Sequence, residues 1–384
     1  MKNIRVFLHF LALSGAVACD GTPLTVPGSV RSGASSDQPP SGDDNSVNVG
    51  NGTDSFIAGS QSGFGVVWND TSVPVQKNRV KFALLNVAGR KLAADQETAM
   101  AEGVGNQPVG VYPILGGYAA NIRHEMMTGI VFYGHDGIQA GVLNDQMRLN
   151  LIKDSDAKAF VFLDNGTQNP LVQQGRVTPS AYLAGDIYGS ALTPVATTPF
   201  GVQLGNAWAY GTQNETGIVV TIVRENGVFK SLVSMYDSQN PPAPNSFSIG
   251  DLVATDDGFV QSWYFQDGSG RHAYLSFVQK EGLADGNLQT TFETTEFFPV
   301  ADRVDHLAWN GSSIGLLTIS SVNGKASLFR IDKNGSRIGD GIAIVDGQQG
   351  GWLRGGLAAS GSTFGVVYSA GSDQAVRFRA VNFD

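Results

Sequence analysis

Phe64-Gly65-Val66-Val67-Trp68 returns almost unchanged as Phe364-Gly365-Val366-Val367-Tyr368, an offset of 300 residues. The positions just ahead agree as well, Ile57-Ala58 against Leu357-Ala358. A shorter step lies inside the long one. Leu307-Ala308-Trp309-Asn310-Gly311-Ser312-Ser313-Ile314-Gly315-Leu316 matches Leu357-Ala358-Ala359-Ser360-Gly361-Ser362-Thr363-Phe364-Gly365-Val366 at an offset of 50. A fixed period of this size means that one supersecondary unit recurs and buries its apolar face against its neighbours.

The unit reads as strands. Short apolar runs are bounded by turn residues, and no stretch sustains the apolar periodicity of a capped helix. The chain holds 49 glycines and 21 phenylalanines but only 15% charged residues, against about 25% in an average globular domain. A recurring turn, seen in Leu85-Asn86-Val87-Ala88-Gly89, Val223-Arg224-Glu225-Asn226-Gly227, Val278-Gln279-Lys280-Glu281-Gly282 and Ile331-Asp332-Lys333-Asn334-Gly335, ends in the glycine that a tight hairpin needs. It is expected between third and fourth strands. Gly59-Ser60-Gln61-Ser62-Gly63 and Asn310-Gly311-Ser312-Ser313 are expected between first and second strands.

Four short strands per fifty residues is the pattern of a β-propeller blade. Second strands are expected near Phe64, Gly129, Phe160, Ala207, Phe259, Ile314 and Phe364. The fold class is therefore all-β: antiparallel four-stranded blades, seven by this spacing. Six or eight also fit, because the interval 101–200 is the least regular, and an array of β-sandwich repeats suits the same period. The chain stops at Asp384, soon after a third strand in which Val376-Arg377-Phe378-Arg379-Ala380-Val381 matches Val80 onward. The missing outer strand is expected from Ser46-Val47-Asn48-Val49, which would close the ring and cover an open sheet edge.

Ahead of the repeats lies an address. Lys2 and Arg5 precede a mostly apolar run from Val6 to Gly15, and Ala16-Val17-Ala18 then lead to Cys19. Ten apolar residues are too few to cross a bilayer, so the segment reads as a cleaved export signal. Cys19 is the single cysteine and cannot form an internal disulfide. An ordinary secretory signal with a chance cysteine is the alternative. Ala16 to Cys19 resembles the lipobox of bacterial lipoproteins, which implies that Cys19 carries lipid. The expected layout is a signal peptide over 1–18, a lipidated linker over 19–52 with a closing strand within 45–52, and the propeller over 53–384. Residues 20–52 are rich in Gly, Ser, Pro, Asp and Asn, too polar to pack. The repeat style resembles propeller-type envelope lipoproteins of unassigned role, which implies a place in the cell envelope, outer membrane ahead of inner.

Catalytic motifs are missing: there is no Gly-x-Ser-x-Gly elbow, since Gly311-Ser312-Ser313-Ile314-Gly315 fits only by letter in a strand-to-strand turn, no His-Glu-x-x-His and no phosphate-binding glycine loop. Beyond the signal the histidines are His124, His135, His272 and His306. Arg123-His124-Glu125 and Asp302-Arg303-Val304-Asp305-His306 are expected on innermost strands lining a central channel, although Asp305 and His306 should point to opposite faces. Trp352 is expected near a channel-mouth loop, where an aromatic face can grip a sugar or a partner. These make Trp352, His306, Asp305 and His124 the candidate ligand-binding residues. Asp332-Lys333-Asn334-Gly335-Ser336-Arg337-Ile338-Gly339-Asp340 has alternating oxygens, but its glycine is misplaced for a calcium loop, so it reads as a hairpin turn. No metal or other cofactor is expected. Without Lys2 and Arg5 the formal charge moves from −9 to −11, which disfavours nucleic acid. The expected role is a membrane-anchored, non-catalytic binding or scaffolding module for an envelope protein or glycan. The alternative is a glycan hydrolase or lyase with its site at the central channel.

Overall fold

Alternating runs cut by glycine, asparagine and aspartate leave the chain little choice but strands and tight turns. The computed structural model describes residues 46–72, 79–98, 106–124, 127–145, 149–155, 157–163, 171–189, 196–197, 200–214, 217–224, 229–234, 247–267, 270–279, 289–293, 302–320, 324–345, 354–370 and 374–383. Among these residues every regular element is a strand.

The strands form successive antiparallel four-stranded meanders. The first contains β1 (Val47–Ser60), β2 (Gly63–Asp70), β3 (Arg79–Leu85) and β4 (Gln96–Thr98). The second contains β5 (Gln107–Ile114), β6 (Gly117–His124), β7 (Met127–Gly134) and β8 (Gln139–Asp145). The third contains β9 (Asn150–Lys153), β10 (Lys158–Leu163), β11 (Leu171–Val177) and β12 (Tyr182–Gly189). A short β13 (Ala196–Thr197) precedes the fourth, which contains β14 (Phe200–Leu204), β15 (Ala207–Asn214), β16 (Gly217–Arg224) and β17 (Phe229–Ser234). The fifth contains β18 (Phe247–Ala254), β19 (Gly258–Asp267), β20 (Gly270–Gln279) and β21 (Gln289–Glu293). The sixth contains β22 (Asp302–Trp309), β23 (Ile314–Ser320), β24 (Ala326–Ile331) and β25 (Ile342–Val345).

The last set has three strands of its own, β26 (Arg354–Ser360), β27 (Thr363–Ala370) and β28 (Ala375–Val381). Its fourth comes from the other end of the chain. Val47 pairs with Phe378, Asn48 with Arg377 and Asn51 with Ala375, and from Gly52 onward the same strand pairs with β2. One continuous strand thus finishes the last meander and begins the first. The first strands of the sets adjoin one another in the order β1, β5, β9, β14, β18, β22, β26 and back to β1. They surround an axis while the other strands spread outward, which is a β-propeller.

The repeated Phe-Gly pair explains how neighbouring sets lock. A Cβ on Gly315 would lie 2.6 Å from the Phe364 ring, one on Gly365 2.7 Å from Phe64, and one on Gly65 2.7 Å from Tyr118. At these three junctions the second strand sets its aromatic residue into the glycine notch of the set before it. The contact runs unbroken from the end of the chain to its beginning. Phe64 and Phe378, which both crowd Gly365, are fully buried and cannot yield. Gly365→Ala should therefore cost about 1–3 kcal/mol through overpacking, measured as a lower denaturant midpoint. Gly116→Ala, with nothing within 4 Å of its new methyl, should stay within about 0.5 kcal/mol of the parent.

Of the four turns expected between third and fourth strands, those ending at Gly227 and Gly282 lie outside the described residues. Gly89 and Gly335 take φ of 80° and 87° between third and fourth strands. Asp332 Oδ1 accepts the amides of Asn334 and Ser336, so its turn is a hairpin closed by its own carboxylate. Trp68, Trp208 and Trp263 are core residues on second strands. One expectation needs correction: Gly129 belongs to β7, a third strand, and the second strand of that set is β6. Asn121 and Arg123 interrupt β6 with polar groups, whereas Ile130 to Tyr133 form the longer apolar run that reads as core. The irregular interval has a structural counterpart. Short β9 pairs in parallel with β14, Leu151 opposite Phe200 and Lys153 opposite Val202, so two innermost strands share one ladder.

Candidate functional site at the inner strands

Inner strands of several sets carry a β-bulge at the same place, just before a buried apolar pair. The registers shift between Thr53 and Phe56, Pro108 and Gly110, Ile249 and Leu252, and Val304 and His306. A bulge bends a strand and re-aims a side chain. In β18 the residue so treated is Asp251. Its N–H donates to Ser262 Oγ at 2.8 Å, and its carbonyl accepts Gln261 Nε2 at 2.9 Å. Side chains of β19 thus take over the backbone groups that the bulge leaves out of the ladder.

The Asp251 carboxylate, 7% exposed, becomes the centre of a cluster. Oδ1 accepts the Leu252 N–H at 2.8 Å, and Oδ2 accepts the Leu307 N–H of β22 at 3.0 Å. Lys153 Nζ reaches from β9 to within 3.4 Å of Oδ1. His306 Nδ1 stands 3.7 Å from Oδ2, an ion-pair separation longer than a hydrogen bond. Phe200 of β14 lies beneath the ammonium, whose nitrogen is 3.4 Å from the ring centroid, a cation–π contact. The buried Tyr112 of β5 packs against Phe200 with ring centroids 5.9 Å apart. Five neighbouring inner strands meet here.

The electrostatics follow from that packing. Burial alone would raise the Asp251 pKa, but Lys153, His306 and the Leu307 amide outweigh it and hold the carboxyl at about 2. Burial pushes the Tyr112 phenol well above its ordinary value, and the negative Asp251 adds to the rise. An acid held near 2 gives no proton and takes one poorly near neutral pH. What it does well is fix two basic groups in place.

The other candidates from the sequence divide. His306 lies on an innermost strand as expected, but the carboxylate facing it at 3.7 Å is Asp251 from the adjacent set. Asp305 occupies the bulge of β22 and is half-buried. His124 ends β6, a second strand rather than an innermost one; its side chain, Glu125, Trp352 and Cys19 lie outside the described residues. His135 sits exposed in a turn with Nε2 3.2 Å from the Leu115 carbonyl oxygen, and His272 stacks on Phe265. Among the described residues no three His, Cys, Asp or Glu side chains gather closely enough to hold a metal ion. Sequence reading missed Asp251 and Lys153. A signal existed for Asp251: Asp251-Leu252 and His306-Leu307 occupy the same position in consecutive repeats, each polar residue directly before a buried leucine.

Comparison with known proteins agrees on architecture alone. No protein-family model matches the sequence, and no curated protein does. Among solved structures, the Cps50 (Swd1) β-propeller domain of Myceliophteria thermophila is similar over 88% of this chain and 100% of its own, with a TM-score of 0.52 and 10% identity. The β-propeller domain of the Trilobed protease from Pyrococcus furiosus is similar over 86% of this chain and 97% of its own, with a TM-score of 0.51 and 11% identity. That domain is described as having an open velcro topology, whereas β1 and β28 pair here. A prolyl endopeptidase is similar over 85% of this chain, which spans 46% of the enzyme, with a TM-score of 0.52 and 12% identity. At such identities the likeness is one of fold.

Proposed function

We propose that this protein is a lipid-anchored binding or scaffolding module of a bacterial envelope. Its closed seven-bladed propeller holds a protein or glycan and does no chemistry on it. The observation that carries the reading is the Asp251 cluster. A carboxyl held at about 2 between two basic groups suits fixed electrostatics rather than proton transfer. Propellers present loop faces and a central channel on a rigid ring, a geometry that serves docking. The anchor rests on Cys19, the single cysteine, behind a short apolar run. Lipid on that thiol supplies about 0.8 kcal/mol per buried methylene. The polar residues 20–45 ahead of β1 act as the tether, and the outer membrane is the favoured site.

The anchor predicts that the chain incorporates labelled fatty acid in its host and that Cys19→Ser abolishes the label. Binding is tested with the full chain in mild detergent as bait against envelope extract, half of it protease-treated. Capture lost on proteolysis identifies a protein partner, and capture surviving it identifies a glycan. No capture from either half overturns the proposal.

A further inference from the structure

We propose that Lys153 and His306, held by Asp251 on the propeller axis, form a binding site for the carboxylate group of a small ligand. The inference rests on reading the domain as a binding module and names what one part of it binds.

Exposure separates the cluster into a back and a front. The Asp251 side chain is 7% exposed, while Lys153 is 25% and His306 28% exposed. The anion is therefore buried behind the two basic groups, which meet solvent. Both Asp251 oxygens already accept a short backbone bond, from Leu252 and Leu307. The Lys153 and His306 contacts are longer, 3.4 and 3.7 Å. Lys153 has three donors and makes one polar contact among the described residues, with Asp251. His306 spends Nδ1 on Asp251, and its Nε2 has no partner among the described residues. Donors thus remain on two groups that share one carboxylate behind them.

Donor geometry selects the ligand class. An ammonium and an imidazole N–H are donors suited to the two oxygens of a carboxylate. Phe200 and Tyr112 give the site an apolar wall, which lowers local screening and strengthens the pairing. Phe200 already bears the Lys153 ammonium, so the carboxylate rather than ring stacking carries recognition. The bearer could be a simple organic acid or a uronic acid, and the probes separate the two.

The test follows the His306 ring by NMR in the full chain, labelled with 13C-histidine and held in mild detergent at constant ionic strength and pH. A His306→Gln spectrum assigns the signal. Sodium acetate, sodium glucuronate and glucose are titrated separately. Saturable shifts with both carboxylates and none with glucose are expected, with affinity falling at least tenfold in Lys153→Met and kept within threefold in Lys153→Arg. Saturation by acetate but not glucuronate supports the site and excludes a uronic acid as bearer. No saturable shift with either carboxylate, or an equal response to glucose, overturns the proposal, and the parent chain decides this even if a variant misfolds. Capture of an envelope component without carboxylate binding would remove this site and leave the broader binding reading standing. Carboxylate binding without capture would do the reverse.

Discussion

Asp251→Asn should destabilise the domain by roughly 2–4 kcal/mol at neutral pH, below the 3–5 kcal/mol of a fully buried pair because Lys153 keeps contact with water. Asparagine retains the shape and can still accept the Leu307 amide, but it removes the negative charge that Lys153 and His306 share. The effect should also depend on pH with a definite sign. The carboxyl is held at about 2 in the folded protein against an ordinary 3.8. A group lowered on folding contributes in full above its unfolded value and loses that contribution as pH falls through its folded value. The linkage is worth on the order of 2 kcal/mol. Urea titrations should therefore show the full gap between parent and variant at about pH 5, narrowing as pH falls towards 2. A gap independent of pH would mean that Asp251 is not held ionised by its neighbours.

Deleting residues 46–51 should cost more, on the order of 5 kcal/mol. The segment supplies four residue pairs to β28 and buries Val49. Those ladder bonds contribute about 0.5–1.5 kcal/mol each, and a buried valine about 1.5–3 kcal/mol. Gly50 also lies against the Trp68 indole, where even a methyl would come within 2.7 Å of the ring. Its loss would uncover the first set as well as the last. The deletion leaves β28 an open edge, a template for pairing with other chains. A lowered urea midpoint together with concentration-dependent self-association is the expected result. Unchanged stability would mean that β1 closes nothing.

Legibility in the sequence tracked how local each feature is. The Phe-Gly-Val-Val repeat, the Gly89 and Gly335 turns and the Val47 closing strand depend on neighbours in the chain or on copies at a constant spacing. Period and turn chemistry therefore show them. The set around β6 was misplaced because Ala119, Ala120 and Asn121 read as weak core, although their burial comes from packing between sets. The axis cluster was mostly hidden. Lys153 and Asp251 are 98 residues apart and meet because β9 and β18 flank β14 around the axis. Lys153 also lies where the repeat departs from its period, since β9 shares its ladder with β14. His306 was visible as a lone histidine on an inner strand. Its partner could not be named until the bulge in β18 had turned Asp251 towards β22.

Ring closure underlies everything else, because only a closed ring brings the inner strands around one axis. Asn48 and Arg377 are paired across β1 and β28, at a separation that a disulfide can bridge. The most direct test is Asn48→Cys with Arg377→Cys in a Cys19→Ser background, so that only two thiols remain. The closed propeller predicts quantitative intramolecular disulfide formation under mild oxidation in the native state, and slower unfolding of the oxidised form. Free thiols that persist after oxidation, or crosslinks only between separate chains, would contradict the closure and with it the shared axis of the inner strands.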